Sequence, residues 1–204
     1  EALKKRILIL DGPRGTMLQS YKLSEEEFRG KRFIDHPINL KGNYDVISLT
    51  KPDLVKEVYR DFLDAGSDII GTNTFNANGL SQGDYKLEGI IYELNLNSAK
   101  IARQIVDSYN VKEPARPRFI AGSIGPSNQT LSISPRVDEP AYRVVTFDEV
   151  VDSYREQIRG LVEGGVDFLL VETVFDTLNC KAVLYAIEEY FTKVNRRLPV
   201  MVSV

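Results

Sequence analysis

Five short runs rich in aliphatic residues, each halted by a polar or acidic residue, constrain this chain more than any other feature. They are Ile7–Leu10, Asp68–Ile70, Phe119–Ala121, Phe168–Val171 and Val200–Val202. None alternates apolar with polar as a half-buried strand does, so each reads as a strand covered on both faces, as in a parallel sheet. Helical patterns lie between them. In "TKPDLVKEVYRDFLDAG", Thr50 is placed to cap, Pro52 suits the first turn, Leu54, Val55, Val58 and Phe62 form one stripe, and Gly66 stops the helix. In "TFDEVVDSYREQIRGLVEGG", Thr146 and Glu149 form a capping box, Val150, Tyr154, Ile158 and Leu161 form the stripe, and Gly164 and Gly165 end it. Two longer helices are expected over roughly 86–109 and 177–190.

The segments "LDAGSDIIGTNTF" and "VEGGVDFLLVETVF" repeat one grammar: helix end, small residue, Gly, x, Asp, buried strand, polar residue, Thr. A repeated βα unit points to an α/β barrel or a doubly wound sheet. "DGPRGT" is not the G-x-G-x-x-G fingerprint of dinucleotide binding, which favours the barrel. A closed (β/α)8 barrel takes eight strands and typically about 250 residues, whereas this chain has 204 residues. The expectation is therefore one domain over residues 1–204 supplying about the first half of a TIM-type barrel, strands one to five and helices one to four. Its open edges imply a longer parent protein or, as the less favoured option, pairing with another chain.

Composition excludes several classes. The net charge of −3 gives no reason to expect nucleic acid or an anionic membrane as partner. No apolar run approaches the roughly 18 residues of a membrane span, and "EALKKRILILDGPRGT" reads as a first strand and not a signal peptide. The single cysteine, Cys180, excludes an internal disulfide framework and a thiolate-rich zinc site built by this chain alone, and a reducing, cytoplasmic location is expected.

In a barrel the chemistry lies at the C-terminal ends of the strands. Those ends here read Asp11-Gly12, Thr72-Asn73-Thr74, "GSIGPSN" (122–128) and Glu172-Thr173. Two carboxylates beside turn amides and small hydroxyls suit a zwitterionic amino acid, the acids attracting the ammonium and the amides the carboxylate. The competing reading makes the same residues helix caps and turn formers. No strand end supplies the lysine of a Schiff-base enzyme. His36 reads as a turn or packing residue, Cys180 as a small buried hydrophobe on a helix, and "GSIGPSN" as a weak anion nest.

With these residues assembled, the chain resembles the N-terminal, homocysteine-binding module of cobalamin-dependent methionine synthases, within the homocysteine S-methyltransferase family. The likeness runs through "ILDGPRGTMLQ", "FRGKRFIDHPINLKGNYDVISLTKPD", "AGSDIIGTNTF", "IAGSIGPSNQTLSISP", "FDEVVDSYREQIRGLVEGGVDFLLVETVFDTLNCKA" and "LPVMVSV". The second stretch is similar to the cobalamin-dependent enzymes and absent from betaine-dependent relatives. The resemblance implies a (β/α)8 barrel that activates homocysteine on zinc and transfers a methyl group from methylcobalamin to give methionine. Homocysteine, the remaining half-barrel and cobalamin and folate modules are the implied partners. Metal coordination would deprotonate a thiol whose free pKa is about 8.5. The resemblance assigns the homocysteine ammonium to Asp11 and Glu172, its carboxylate to amides beginning at Gly12, and the pocket lining to Thr72 and Asn73.

The chain departs from the family pattern in three respects. The three zinc-binding cysteines belong to the later half of the barrel, and Cys180 stands where the family usually has alanine. Pro13 and Arg14 replace the second Gly and the Met of an Asp-Gly-Gly-Met-Gly-Thr loop. Gly71 stands where the family has a glutamate. These departures leave a second reading open: a catalytically silent fragment or diverged scaffold that acts only through association.

Overall fold

The computed structural model describes residues 2–204. Four strands, β1 (Ile69–Gly71), β2 (Phe119–Ile124), β3 (Phe168–Val171) and β4 (Val200–Val202), form one sheet in the order β1-β2-β3-β4. All neighbours are parallel. Strand order follows chain order without the reversal of a doubly wound sheet, as in part of a TIM-like barrel.

Among the described residues, eight α-helices accompany the sheet. The short helices α1 (Arg14–Ser20), α2 (Glu25–Arg29) and α3 (Ile47–Thr50) come first, followed by α4 (Pro52–Asp64) and then α5 (Gly79–Gly83). The long helices α6 (Ile91–Lys112), α7 (Phe147–Glu163) and α8 (Thr177–Val194) complete the set. None is long and apolar enough to cross a membrane.

The capping box stands as expected: the Thr146 hydroxyl accepts from the Glu149 amide while Glu149 returns to the Thr146 amide. Val150, Tyr154, Ile158 and Leu161 of that helix are fully buried. Where helices α6 and α7 meet, glycines permit the close approach. A Cβ at Gly160 would stand 2.6 Å from the Tyr92 carbonyl oxygen, and one at Gly164 would stand 2.5 Å from the Ala99 Cβ.

Three expectations need correction. Thr50 does not cap α4; it ends α3, and its hydroxyl is buried without a hydrogen-bond partner among the described residues. The helix expected over 86–109 begins as α6 at Ile91, after a 3-10 turn over Glu88–Ile90, because Lys86 is in the left-handed region (φ 51°) and breaks continuity. Ile7–Leu10 forms no full strand: only Leu10 bridges, in parallel, to Ile69. Ile7 is 88% exposed, so the run has neighbours on one side only.

The repeated grammar has a common physical cause. Gly66 and Gly165 follow α4 and α7 with φ of 106° and 93°, a conformation that glycine adopts without strain. Two residues on, Asp68 and Asp167 receive a main-chain N–H from the preceding chain segment, Ile9 N to Asp68 Oδ2 at 3.0 Å and Ile120 N to Asp167 Oδ2 at 2.7 Å. In return their own amides donate to the Ile9 and Ile120 carbonyls. An arginine closes each unit. Arg116 binds the Gly66 carbonyl and Asp68, and Arg103 binds the Gly165 carbonyl and Asp167. Arg6 adds a second cation to Asp68.

The main core lies between sheet and helices and includes Ile70, Ile120, Leu169 and Val171. The opposite sheet face carries Ile69, Ala121 and Leu170, flanked by Leu8, Phe119 and Phe168.

The Arg6 hydrogen bonds, joined by those from Ile9 and Arg116, hold the Asp68 carboxyl well below the usual carboxylate range, against the effect of burial. A depressed folded-state pKa stabilises the fold at pH above about 4 and is lost as pH falls. Asp68→Asn is expected to cost about 1.5–3 kcal/mol at neutral pH and to flatten the acid limb of a denaturation profile. Chemical denaturation at neutral and acid pH measures both.

Candidate functional site

The bridge from Leu10 to Ile69 brings Asp11 to the C-terminal end of β1, where its amide donates to the Ile69 carbonyl at 2.9 Å. The side chain is 1% exposed and accepts the Gly71 amide on Oδ2 at 3.0 Å. Gly12 and Pro13 then lead directly into α1, so the segment read as a turn is a helix start. Arg14, one turn after Asp11, places Nη1 2.7 and 2.8 Å from the two Asp11 oxygens. Its Nη2 lies 3.7 Å from Glu172 Oε1. Glu172 sits just beyond β3 and also accepts the Ser123 hydroxyl at 2.5 Å. The two predicted carboxylates thus converge, with a guanidinium between them.

Burial and charge oppose each other at this cluster. Burial pushes the Asp11 carboxyl up, while Arg14 and the Gly71 amide pull it down. For Arg14 burial works toward loss of the proton, but the Asp11 and Glu172 carboxylates outweigh it and keep the guanidinium protonated.

Thr72 and Asn73 lie where the sequence reading placed them, at the end of β1, and both line a cavity of about 360 Å³ together with Gly12, Arg14, Asp45 and Glu172. Their polar atoms already have internal partners. The Thr72 hydroxyl is 2.6 Å from that of Thr74 and accepts the Ser123 amide at 2.9 Å. Asn73 Nδ2 donates to the Tyr44 carbonyl and the Ser48 hydroxyl, tying the 44–48 segment to the strand end. The Asn73 amide donates to the Tyr59 hydroxyl at 2.8 Å.

The loop amides are less available than expected. Pro13 has no N–H, and the Arg14 N–H donates to the Gly12 carbonyl. In "GSIGPSN" β2 runs to Ile124, and two amides are already engaged: Ser123 donates to the Thr72 hydroxyl and Gly125 to the Phe75 carbonyl.

The structure adds residues that sequence reasoning missed. Asp45, on the cavity wall, is 4% exposed and accepts the Asn76 amide at 3.1 Å. Burial pushes its carboxyl up to about 7 despite that bond and the nearby Arg14. Such a group exchanges protons at neutral pH. Nothing in "KGNYD" distinguishes it from a turn aspartate. Asp176 caps α8 and accepts the Leu131 and Ser132 amides and the Ser132 hydroxyl. Burial opposes its ionisation, yet these bonds hold its carboxyl at about 2.

His36 Nε2 lies 2.7 Å from the Tyr85 carbonyl and its ring packs edge-on to Phe33, a structural role. Cys180 is half-buried against the core on α8. Among the described residues no three His, Cys, Asp or Glu side chains gather as metal ligands. With Asp11 held by Arg14 and His36 by Tyr85, the residues present do not fit the zinc that the resemblance implies.

The homocysteine S-methyltransferase family model matches residues 8–204. Among solved structures, the homocysteine methyltransferase MmuM from Escherichia coli in its metallated form is similar at a TM-score of 0.69 and 20% identity, over 97% of this chain and 63% of that one. The oxidized form gives a TM-score of 0.70 at 21% identity, over 96% of this chain and 62% of that one. At these identities the likeness is one of fold, and the chain spans less than two thirds of their length.

Asp45 carries a sharp expectation. Its folded pKa stands above the unfolded value, so its stabilising effect is complete below about pH 4 and declines as pH rises through about 7. Asp45→Asn is expected to remove this decline and to raise stability at pH 8, by at most about 4 kcal/mol at 1.36 kcal/mol per pKa unit. Parallel melts of both proteins at pH 5 and pH 8 test it.

Proposed function

Because the chain belongs to the homocysteine S-methyltransferase family, we propose that the cavity at the strand ends is the homocysteine site of a methionine-forming methyltransferase. One observation carries this reading: Asp11 and Glu172 converge beside a cavity of about 360 Å³ that Gly12, Thr72 and Asn73 also line. In this proposal the carboxylate pair, bridged by Arg14, lies at the end of the cavity that takes the amino end of the substrate. Thr72 and Asn73, fixed by their own hydrogen bonds, keep the wall rigid.

Methylcobalamin is the methyl donor we assign, from the stretch 28–53 that resembles the cobalamin-dependent enzymes. Transfer would form the S–CH3 bond as the methyl leaves its donor, and the thiol proton must go to an acceptor. Zinc would supply thiol activation in such enzymes, and this chain's residues do not fit it. Folate and cobalamin modules, and the rest of a barrel, would be the partners of such a site in a longer protein.

A second reading is favoured by the Arg14–Asp11 ion pair, which fills the space between the carboxylates. On that reading the chain is a scaffold without catalysis.

Calorimetric titration of L-homocysteine into the full chain separates the two. The site reading expects saturable binding that weakens at least about tenfold when Gln19, exposed at the cavity rim, is changed to Trp. No binding, or binding indifferent to that change, overturns the site reading. Bound zinc together with methionine formed from methylcobalamin would exclude the scaffold.

A further inference from the structure

The guanidinium of Arg14 stands where a substrate ammonium would have to stand. Nη1 bridges both Asp11 oxygens, and Nη2 approaches Glu172. With a side chain 14% exposed over a carboxylate 1% exposed, the pair is shielded from water and worth more than a surface ion pair. An incoming ammonium would need to displace a cation already held by charge-assisted hydrogen bonds.

Room for this cation comes from β1. A Cβ built at Gly71 would lie 2.2 Å from Arg14 Nη1, 2.6 Å from Cζ and 2.7 Å from Nη2. The guanidinium therefore packs on the bare backbone of Gly71, whose amide donates to the same Asp11 carboxylate. The backbone of Gly71 lies outside the left-handed region, so its lack of a side chain answers no conformational demand. It answers a demand for space.

Resting on the site reading above, we propose that Arg14 and Gly71 form one specificity device, an internal cation seated in the ammonium position. The cavity thereby accepts the thiol-bearing, carboxylate-bearing part of a ligand without recognising its α-ammonium. Ligands of this chain belong to the class of mercapto-carboxylates, with or without an amino group.

The test compares L-homocysteine with its des-amino analogue, 4-mercaptobutanoate, by calorimetry on the full chain, Arg14→Ala and Gly71→Ala. The second variant keeps Arg14 but drives its flexible end out of the seat, so the result does not hang on one substitution. The wild-type chain is expected to bind the two thiols within about threefold of each other, as for a group that makes no net contact. Both variants are expected to favour L-homocysteine by about tenfold or more, as a freed carboxylate pair gains a charge-assisted partner. A wild-type preference for L-homocysteine of about tenfold or more, or a ratio unchanged in both variants, overturns the device and leaves the site reading intact. Failure of every protein to bind either thiol overturns both.

Discussion

Two aspartates, Asp68 and Asp167, hold the arrangement on which everything else depends. Each lies just before its strand and hydrogen-bonds through its carboxylate and its own amide to the neighbouring chain segment. Each shares an arginine with the carbonyl of a glycine at positive φ. A helix end, a sharp return and a strand register are thus set by a few residues. For Asp68 the consequence is direct. The clamp on Ile9 aligns Leu10 with Ile69, and that alignment delivers Asp11 to the mouth beside Glu172. The site is positioned from the opposite end of the sheet.

Much of this was legible in the sequence because it rests on local rules. Four of the five aliphatic runs coincide with strands; burial on both faces gives β1, β2 and β3 their unbroken apolar signature, whereas Val200, Met201 and Val202 of β4 are exposed at the sheet edge. Thr146 and Glu149 announced α7 because a capping box is complete within four residues. What escaped depended on tertiary context. Thr50 has the right chemistry for a cap, but the preceding residues turn into α3 and take the backbone geometry away from it. Ser24 and Glu27 form a second capping box for α2, a signal present in "SEEE" and overlooked because the helix is so short. Ile7–Leu10 has a strand's composition with a neighbour on one side only, so its residues remain largely exposed.

The site divides in the same way. The positions of Asp11 and Glu172 followed from reading strand ends, and their convergence is seen in the structure. The partner of both, Arg14, stands in "ILDGPRGTMLQ", where it reads as a loop residue. Its spacing of three from Asp11, at the start of a helix, was the available clue. Asp45 offered no clue at all, because its raised pKa comes from burial that only the packed 42–46 and 76–82 segments create.

The crowding of position 71 by Arg14 also couples the two positions. With arginine seated at 14, any side chain at 71 would collide with it, whereas glycine at 71 is compatible with an arginine or a shorter residue at 14. A side chain at 71 and the seated guanidinium thus exclude each other: either position 71 stays bare or the flexible end of Arg14 swings away. The seat therefore holds one occupant at a time, and what fills the strand-end mouth is decided at residue 71 as much as at residue 14.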